Sequence, residues 1–169
     1  FAVSKQDKTK QHTPLVIFAL SILSLLLWSM CNYLADTSTS LTSALFWTKA
    51  SFPTALLMGL SLVIFSYVFP VKQAYSKYIT PLYLILVGTF SILSMGDLII
   101  RNVTLMEGVG ISQVEIGILY PGILGVYLLL ILHSTYNFIT SYKNLTGKHR
   151  SQIKYVLLGW TTFLLVAVT

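Results

Sequence analysis

The chain has 169 residues, of which 55% are hydrophobic and only 9% are charged, and its formal net charge is +6. Soluble domains carry about a quarter charged residues, so this composition excludes an ordinary soluble protein. Charge-free runs of about 20 apolar residues, the length that crosses a bilayer as an α-helix, recur along the sequence. The sequence therefore predicts an all-α fold, a polytopic transmembrane helical bundle.

Five helices are expected in chain order, within one membrane domain of residues 1–169. We predict them at residues 14–35, 41–69, 80–101, 115–142 and 152–169. The last run is still apolar at residue 169 and, at about 1.5 Å per residue, is shorter than a hydrocarbon core of roughly 30 Å. We therefore expect the fifth helix to be truncated and the five helices to be a fragment of a larger bundle.

The first helix and the loop after it carry local signals. Pro14 suits the first turn of a helix. Cys31 lies in an apolar run, where a buried packing thiol is the expected role. The loop "DTSTSLTS" (36–43) offers Asp, Ser and Thr side chains that can cap the start of the second helix.

Lys49 and Pro53 interrupt the apolar second helix. Lys49 follows Trp47, close to the expected interface, and its four-carbon stem can carry the amine to water. Pro53 leaves the carbonyl of Lys49 without its usual donor and is expected to kink the helix. Taken alone, these residues favour anchoring and kinking over a ligand site.

Asp97 and Arg101 stand four residues apart near the end of the predicted third helix. They would share a helical face, so an interfacial ion pair is expected, with a ligand site as the alternative. The segment that follows, residues 102–115, contains glycines and acids and is predicted to be a loop or a short interfacial turn.

His133 is the ionisable residue that lies well inside a predicted helix. Ionisable residues at this depth are functional hypotheses by default. The alternative is a neutral imidazole hydrogen-bonded to a neighbouring helix, which the adjacent Ser134 and Thr135 favour. No HExxH, CxxC, GxSxG or P-loop motif occurs. We therefore predict no catalytic residue, metal site or cofactor in this segment.

The distribution of charge predicts the orientation. The gaps before the first, third and fifth helices hold nine of the eleven basic residues: Lys5, Lys8, Lys10, Lys72, Lys77, Lys143, Lys148, Arg150 and Lys154. The other two gaps hold four of the five acids, with Lys49 and Arg101 as their cations. The positive-inside rule then places the N-terminus in the cytoplasm. Cations spread over short juxtamembrane loops favour anionic lipid head groups as partners and argue against nucleic acid.

Short motifs also carry a family resemblance. They are Phe18-Ala19-Leu20, Trp28-Ser29, Ala44-Leu45-Phe46-Trp47 with Lys49, the aromatic segment 65–70, and Arg150, Gln152, Tyr155 and Gly159. Together they resemble the seven-helix N-terminal sensor region of bacterial histidine kinases and diguanylate cyclases. The resemblance implies that the five helices correspond to helices two to six of that region. It also implies that kinase or cyclase activity would belong to an output domain outside this segment.

The resemblance further implies a membrane-embedded input module of a signal-transduction protein. Such a module recognises a small ligand or a membrane state and passes it through the last helix to a cytoplasmic output domain. The expected partners are membrane lipids, a small molecule on the outer side and a second copy of the chain. We predict a ligand pocket in the outer half of the bundle, in which Lys49 and Arg101 hold an anionic group and aromatic residues hold an apolar body. Its residues are Trp28, Tyr33, Trp47, Lys49, Asp97, Arg101 and Tyr120.

Two other functions stay open at this point. The chain could be a non-catalytic membrane subunit or scaffold of a larger assembly, in which case its apolar outer faces contact protein. It could also be a transporter or channel, which needs several polar groups or broken helices at the midplane. The transporter or channel interpretation is supported by His133 and by the nearby Gly122 and Gly125.

Overall fold

The structure is a computed structural model that describes residues 6–71, 78–106 and 110–168, with side chains for residues 13–71, 78–106 and 110–162. The elements are α1 (Gln6–Asp36), α2 (Leu41–Val68), α3 (Ile79–Ser94), β1 (Ile100–Met106), β2 (Gly110–Ile116), α4 (Tyr120–Asn144) and α5 (Gly147–Val168). The predicted helical bundle is confirmed, and a two-stranded antiparallel sheet is added to it.

Three of the described helices are long and apolar enough to cross a membrane. They are Thr13–Asp36 within α1, all of α2 and all of α4. The third helix, α3, is apolar but has only 16 residues. The chain is therefore a multi-pass membrane protein by the length and composition of its helices.

The core is built around α2. This helix packs against α1, α3 and α4, and 56% of its most apolar window is buried, compared with 11% for α1. It approaches α4 closely at Gly59, where a Cβ would lie 3.2 Å from the Cβ of Leu130. Small residues at helix crossings allow such close packing in membranes. Cys31 is buried with a free thiol, which agrees with the predicted packing role.

Polar side chains join the helices within the bundle. The amide of Asn137 on α4 donates to the Ser66 hydroxyl on α2 at 3.0 Å, and both residues are buried. The Trp160 indole on α5 donates to the Thr135 hydroxyl on α4, also at 3.0 Å. Thr135 in turn donates to the Ile131 carbonyl of its own helix. Hydrogen bonds of this kind hold membrane helices together where apolar surface alone cannot.

The prediction that α3 extends to residue 101 is wrong. The helix ends at Ser94, and its last turn is tightened by bonds from the amides of Met95 and Gly96 to carbonyls three residues earlier. Residues 100–106 and 110–116 then form an antiparallel hairpin where a loop was expected. Its β-branched residues favour strands, and Val103 on β1 is buried in the core. We call this element the hairpin.

The hairpin is attached to the bundle at both ends. At its base, the Gly117 amide donates to the Ile99 carbonyl at 2.7 Å and the Leu119 amide to the Leu98 carbonyl at 2.8 Å. At the other end, Gly110 has φ +85°, and a Cβ there would overlap the carbonyl oxygen of Asp36 at the end of α1. The hairpin therefore connects the end of α1 to the junction of α3 and α4.

Other helix ends also differ from the predictions. The α1 helix begins at Gln6, so Pro14 lies inside it and not in its first turn; the polar residues before Pro14 include good helix formers that extend the helix. The α4 helix begins at Tyr120, five residues later than predicted, because residues 110–116 are paired in β2 and Pro121 starts the helix. The α5 helix begins earlier than predicted, at Gly147.

The second helix follows its predicted local signals. Its N-cap is Ser40, whose hydroxyl accepts from the Ser43 amide at 3.3 Å, so the predicted capping by this loop is confirmed. The helix continues through Pro53 to Val68.

The predicted cytoplasmic cations Lys5, Lys72 and Lys77 lie outside the described residues.

Candidate ligand site beside the hairpin

A cavity of about 160 Å³ lies between α1, α2 and α4, in the half of the bundle next to the hairpin. Helical spacing explains how its wall forms, because residues three or four apart lie on one face of a helix. Its lining residues are Trp28 from α1, Ser51, Phe52, Ala55 and Leu56 from α2, and Tyr120, Ile123, Leu124 and Tyr127 from α4.

The wall of the cavity is aromatic and aliphatic. Phe52 and Tyr120 meet edge to face, with ring centroids 6.3 Å apart and planes at 89°, the arrangement that aromatic pairs prefer. Ser51 is the hydroxyl-bearing residue of the α2 wall, and its hydroxyl donates to the Thr48 carbonyl of the same helix. The cavity can therefore hold an apolar body without leaving a buried polar group unpaired on α2.

Lys49 is buried and forms an ion pair with Asp97. The Lys49 Nζ lies 2.7 Å from Asp97 Oδ1, and the two side chains are 9% and 80% exposed. The predicted pair of Asp97 with Arg101 is wrong, because α3 ends before either residue: Asp97 lies in the following turn and Arg101 on β1. Lys49 thus binds the turn after α3. The sequence analysis had expected its amine to extend to the interface instead.

The Lys49 ammonium also stabilises the ionised form of the Asp97 carboxyl. Its hydrogen bond, and secondarily its positive charge, lowers the pKa of the Asp97 carboxyl below the ordinary value near 3.8. Asp97 is therefore ionised at neutral pH and neutralises a cation that is buried one turn from the cavity wall.

Acidification is expected to destabilise the protein through this pair. Because the pKa of Asp97 is lower in the folded protein, the pair contributes stability that is fully present above the unfolded-state pKa and is lost as the pH falls through the lowered folded-state pKa. The measurement is thermal unfolding in detergent micelles, from neutral pH to below pH 3.8. Lys49→Met is the control, since its Asp97 titrates without the partner and its unfolding temperature should fall less steeply. Equal slopes in the two proteins would assign the effect to other carboxylates.

The structure divides the seven predicted site residues into separate groups. Trp28 and Tyr120 line the cavity together, while Lys49 and Asp97 pair beside it. Tyr33 is 66% exposed, and Arg101 is exposed on β1. Trp47 packs edge-on against Phe46, away from the cavity wall.

Two aromatic wall residues, Phe52 and Tyr127, were missed by the sequence analysis. Tyr127 lies seven residues after Tyr120, two helical turns along the same face, so helical spacing from that residue could have found it. Phe52 stands next to Pro53 on an apolar helix, where its ring has no local pattern that distinguishes it from the other apolar residues.

His133 lies farther along α4, beyond the cavity. Its Nε2 is 2.8 Å from the Tyr67 hydroxyl on α2, and its Nδ1 is 2.6 Å from the Tyr83 hydroxyl on α3. A neutral imidazole, with one donor and one acceptor nitrogen, matches two hydroxyl partners. This arrangement agrees with the interhelical alternative, although Ser134 and Thr135 bond to their own helix. In the part of the chain that the structure describes, no group of three or more His, Cys, Asp or Glu residues could hold a metal ion.

Comparison with protein families gives a match over the full sequence. The family described as the N-terminal 7TM region of histidine kinase matches residues 1–169, the whole sequence. No curated protein and no solved structure matches the chain.

Proposed function

We propose, from the premise that this chain belongs to the N-terminal 7TM region of histidine kinases, that its bundle recognises a small ligand and passes the binding event to a cytoplasmic output domain. Membership of the family makes the chain a membrane sensor region of a signal-transduction protein.

The cavity is the observation that carries the proposal. Residues of three helices line it, so an occupant would contact α1, α2 and α4 at once. A ligand shifts a conformational equilibrium by as much as its affinities for the two states differ. An occupant that fits one arrangement of these three helices better than another therefore has the means to change their packing.

A route from the cavity toward α5 follows α4. Tyr127 in the wall and Thr135 lie two turns apart on this helix, and Thr135 accepts the hydrogen bond from Trp160 on α5. His133, between them, is bonded to both α2 and α3. A shift of α4 would therefore move the hydrogen-bond partners of these side chains on α2, α3 and α5.

We further propose how the chain is oriented in the membrane and what it contacts. The N-terminus lies in the cytoplasm, the chain in the inner membrane, and the hairpin and cavity on the outer side, as the positive-inside rule predicts. Lipid contacts the exposed apolar faces of α1 and α4, such as Leu26 and Leu132. Basic residues at the start of α5 meet anionic head groups, and a second copy of the chain completes a homodimer.

The test fills the cavity by mutation in the full-length kinase, reconstituted in lipid nanodiscs. Ala55→Phe places a ring in the cavity, whereas Ala19→Phe adds the same ring on the exposed face of α1 as the matched control. We expect Ala55→Phe to change the rate of autophosphorylation from ATP by at least about fivefold, the lower end of ordinary coupling between sites. An unchanged rate, with both variants folded, would contradict the proposal.

A further inference from the structure

We propose that the cavity takes an uncharged, largely apolar molecule about the size of one aromatic ring, which enters from the bilayer. This inference rests on the proposed function and names the chemical class of its ligand. It also replaces the anionic ligand that the lysine and arginine of the sequence had suggested.

The size of the cavity limits the occupant. Its volume is about 160 Å³. An apolar protein cavity of about 150 Å³ binds benzene, so a single ring matches the space inside the wall. Filling the cavity restores dispersion contacts that the wall residues otherwise lack.

The charges near the cavity exclude an ion. No charged side chain is among the lining residues, and the closest cation along α2, Lys49, is bound to Asp97 at 2.7 Å. Arg101 is exposed on β1 and is also absent from the wall. A carboxylate or ammonium ligand would lose its hydration without gaining a partner, which costs far more than a ring gains by burial.

The polar atoms of the wall allow few hydrogen bonds to an occupant. The Ser51 hydroxyl donates to the Thr48 carbonyl, so its proton is in use. The hydroxyls of Tyr120 and Tyr127 make no hydrogen bond within the described part of the chain, and each could meet a hydroxyl or amine on a ring. Their presence is compatible with a phenol-like molecule as well as a plain ring.

The wall also reaches the lipid-facing surface. Leu124, a lining residue, is 45% exposed on α4, and Trp28 on α1 is partly exposed. In a bundle that spans a membrane, such residues face lipid at the depth of the hydrocarbon. An apolar molecule concentrates in that hydrocarbon, so it would meet the cavity from the side.

Benzene and benzoate are the matched probes, since they share a ring and differ by the charge. The membrane region is placed in nanodiscs of deuterated lipid, and nuclear Overhauser effects are measured from each probe to the Ile123 methyl groups and the Trp28 indole. Leu26 is 60% exposed on α1, so contacts from a probe to Leu26 measure the probe that is dissolved in lipid. We expect saturable benzene contacts at Ile123 and Trp28, and contacts from benzoate at least about tenfold weaker at the same concentration.

Variants separate binding from partition into lipid. Ala55→Phe, and the milder Ala55→Leu if the larger side chain impairs folding, should abolish the benzene contacts at Ile123, whereas Ala19→Phe should leave them unchanged. Benzoate contacts equal to those of benzene would overturn the inference. The inference would also be overturned if benzene contacts at Ile123 persisted in the Ala55→Phe variant and were as strong as the contacts at Leu26.

The two proposals fail in different ways. If benzene binds but Ala55→Phe leaves autophosphorylation unchanged, the ligand class stands and the sensor function fails. If Ala55→Phe changes autophosphorylation but benzene does not bind, the sensor function stands and the ligand class fails.

Discussion

Gly117→Ala is expected to open the base of the hairpin and to destabilise the protein by more than the roughly 0.5–3 kcal/mol of an ordinary substitution. A Cβ at this position would overlap the carbonyl oxygen and carbon of Leu98, which are backbone atoms that cannot rotate away. The substitution would also disturb the Gly117 amide bond to the Ile99 carbonyl. The measurement is the free energy of unfolding in mixed micelles, with hydrogen exchange of the hairpin amides.

Gly88→Ala is the matched control for this prediction. Gly88 lies on α3, and a Cβ there would meet nothing within 4 Å. Alanine is the better helix former by about 1 kcal/mol, so this variant should be neutral or slightly stabilised. Equal free energies of unfolding for the two variants would show that the hairpin does not depend on close approach at Gly117.

His133→Phe is expected to destabilise the bundle by about 1–3 kcal/mol for each buried hydroxyl that loses its partner. The Tyr83 hydroxyl is bonded to His133 in the structure, and Tyr83 is only 6% exposed. Adding Tyr83→Phe should recover part of the loss, because removing both partners of a buried hydrogen bond costs less than removing one. A double-mutant cycle measured by unfolding in micelles gives the coupling directly.

His149→Phe is the control for the histidine substitution. His149 is exposed near the start of α5 and bonds to Gln152 at 3.3 Å, so its replacement should change stability little. If His133→Phe is as mild as His149→Phe, or if Tyr83→Phe worsens it additively, the three-helix hydrogen bonding of His133 does not stabilise the bundle.

The helical part of this fold could be predicted because it depends on local patterns. Hydrophobic runs of bilayer length indicate helices wherever they occur, and the Ser40 cap is a signal contained within four residues. For His133, a hydrogen bond to a neighbouring helix was one of the two interpretations that the sequence left open. Its two tyrosine partners could not be named, because they come from helices 66 and 50 residues away along the chain.

The hairpin and the Lys49 pair were missed for a common reason. Residues 98–101 were predicted to be the end of the third helix and residues 102–115 a loop or short turn, and this boundary placed Asp97 and Arg101 on one helical face. The strand signal in that segment depends on a second β-branched segment, residues 110–116, that pairs with it. Once α3 ends at Ser94, Asp97 is free to turn toward α2 and meet Lys49. One error in a helix boundary thus changed the predicted partner, and with it the predicted charge of the ligand.

The short α3 has a consequence for biosynthesis. Sixteen residues span about 24 Å, less than the hydrocarbon thickness, and the carbonyls of Leu98 and Ile99 beyond it are bonded to the amides of Leu119 and Gly117. The ribosome synthesises those amides some twenty residues after the carbonyls that they satisfy. Until the beginning of α4 emerges, α3 is too short to cross alone and its far end has exposed backbone groups. The two helices should therefore leave the translocon as a pair, with the hairpin closing between them.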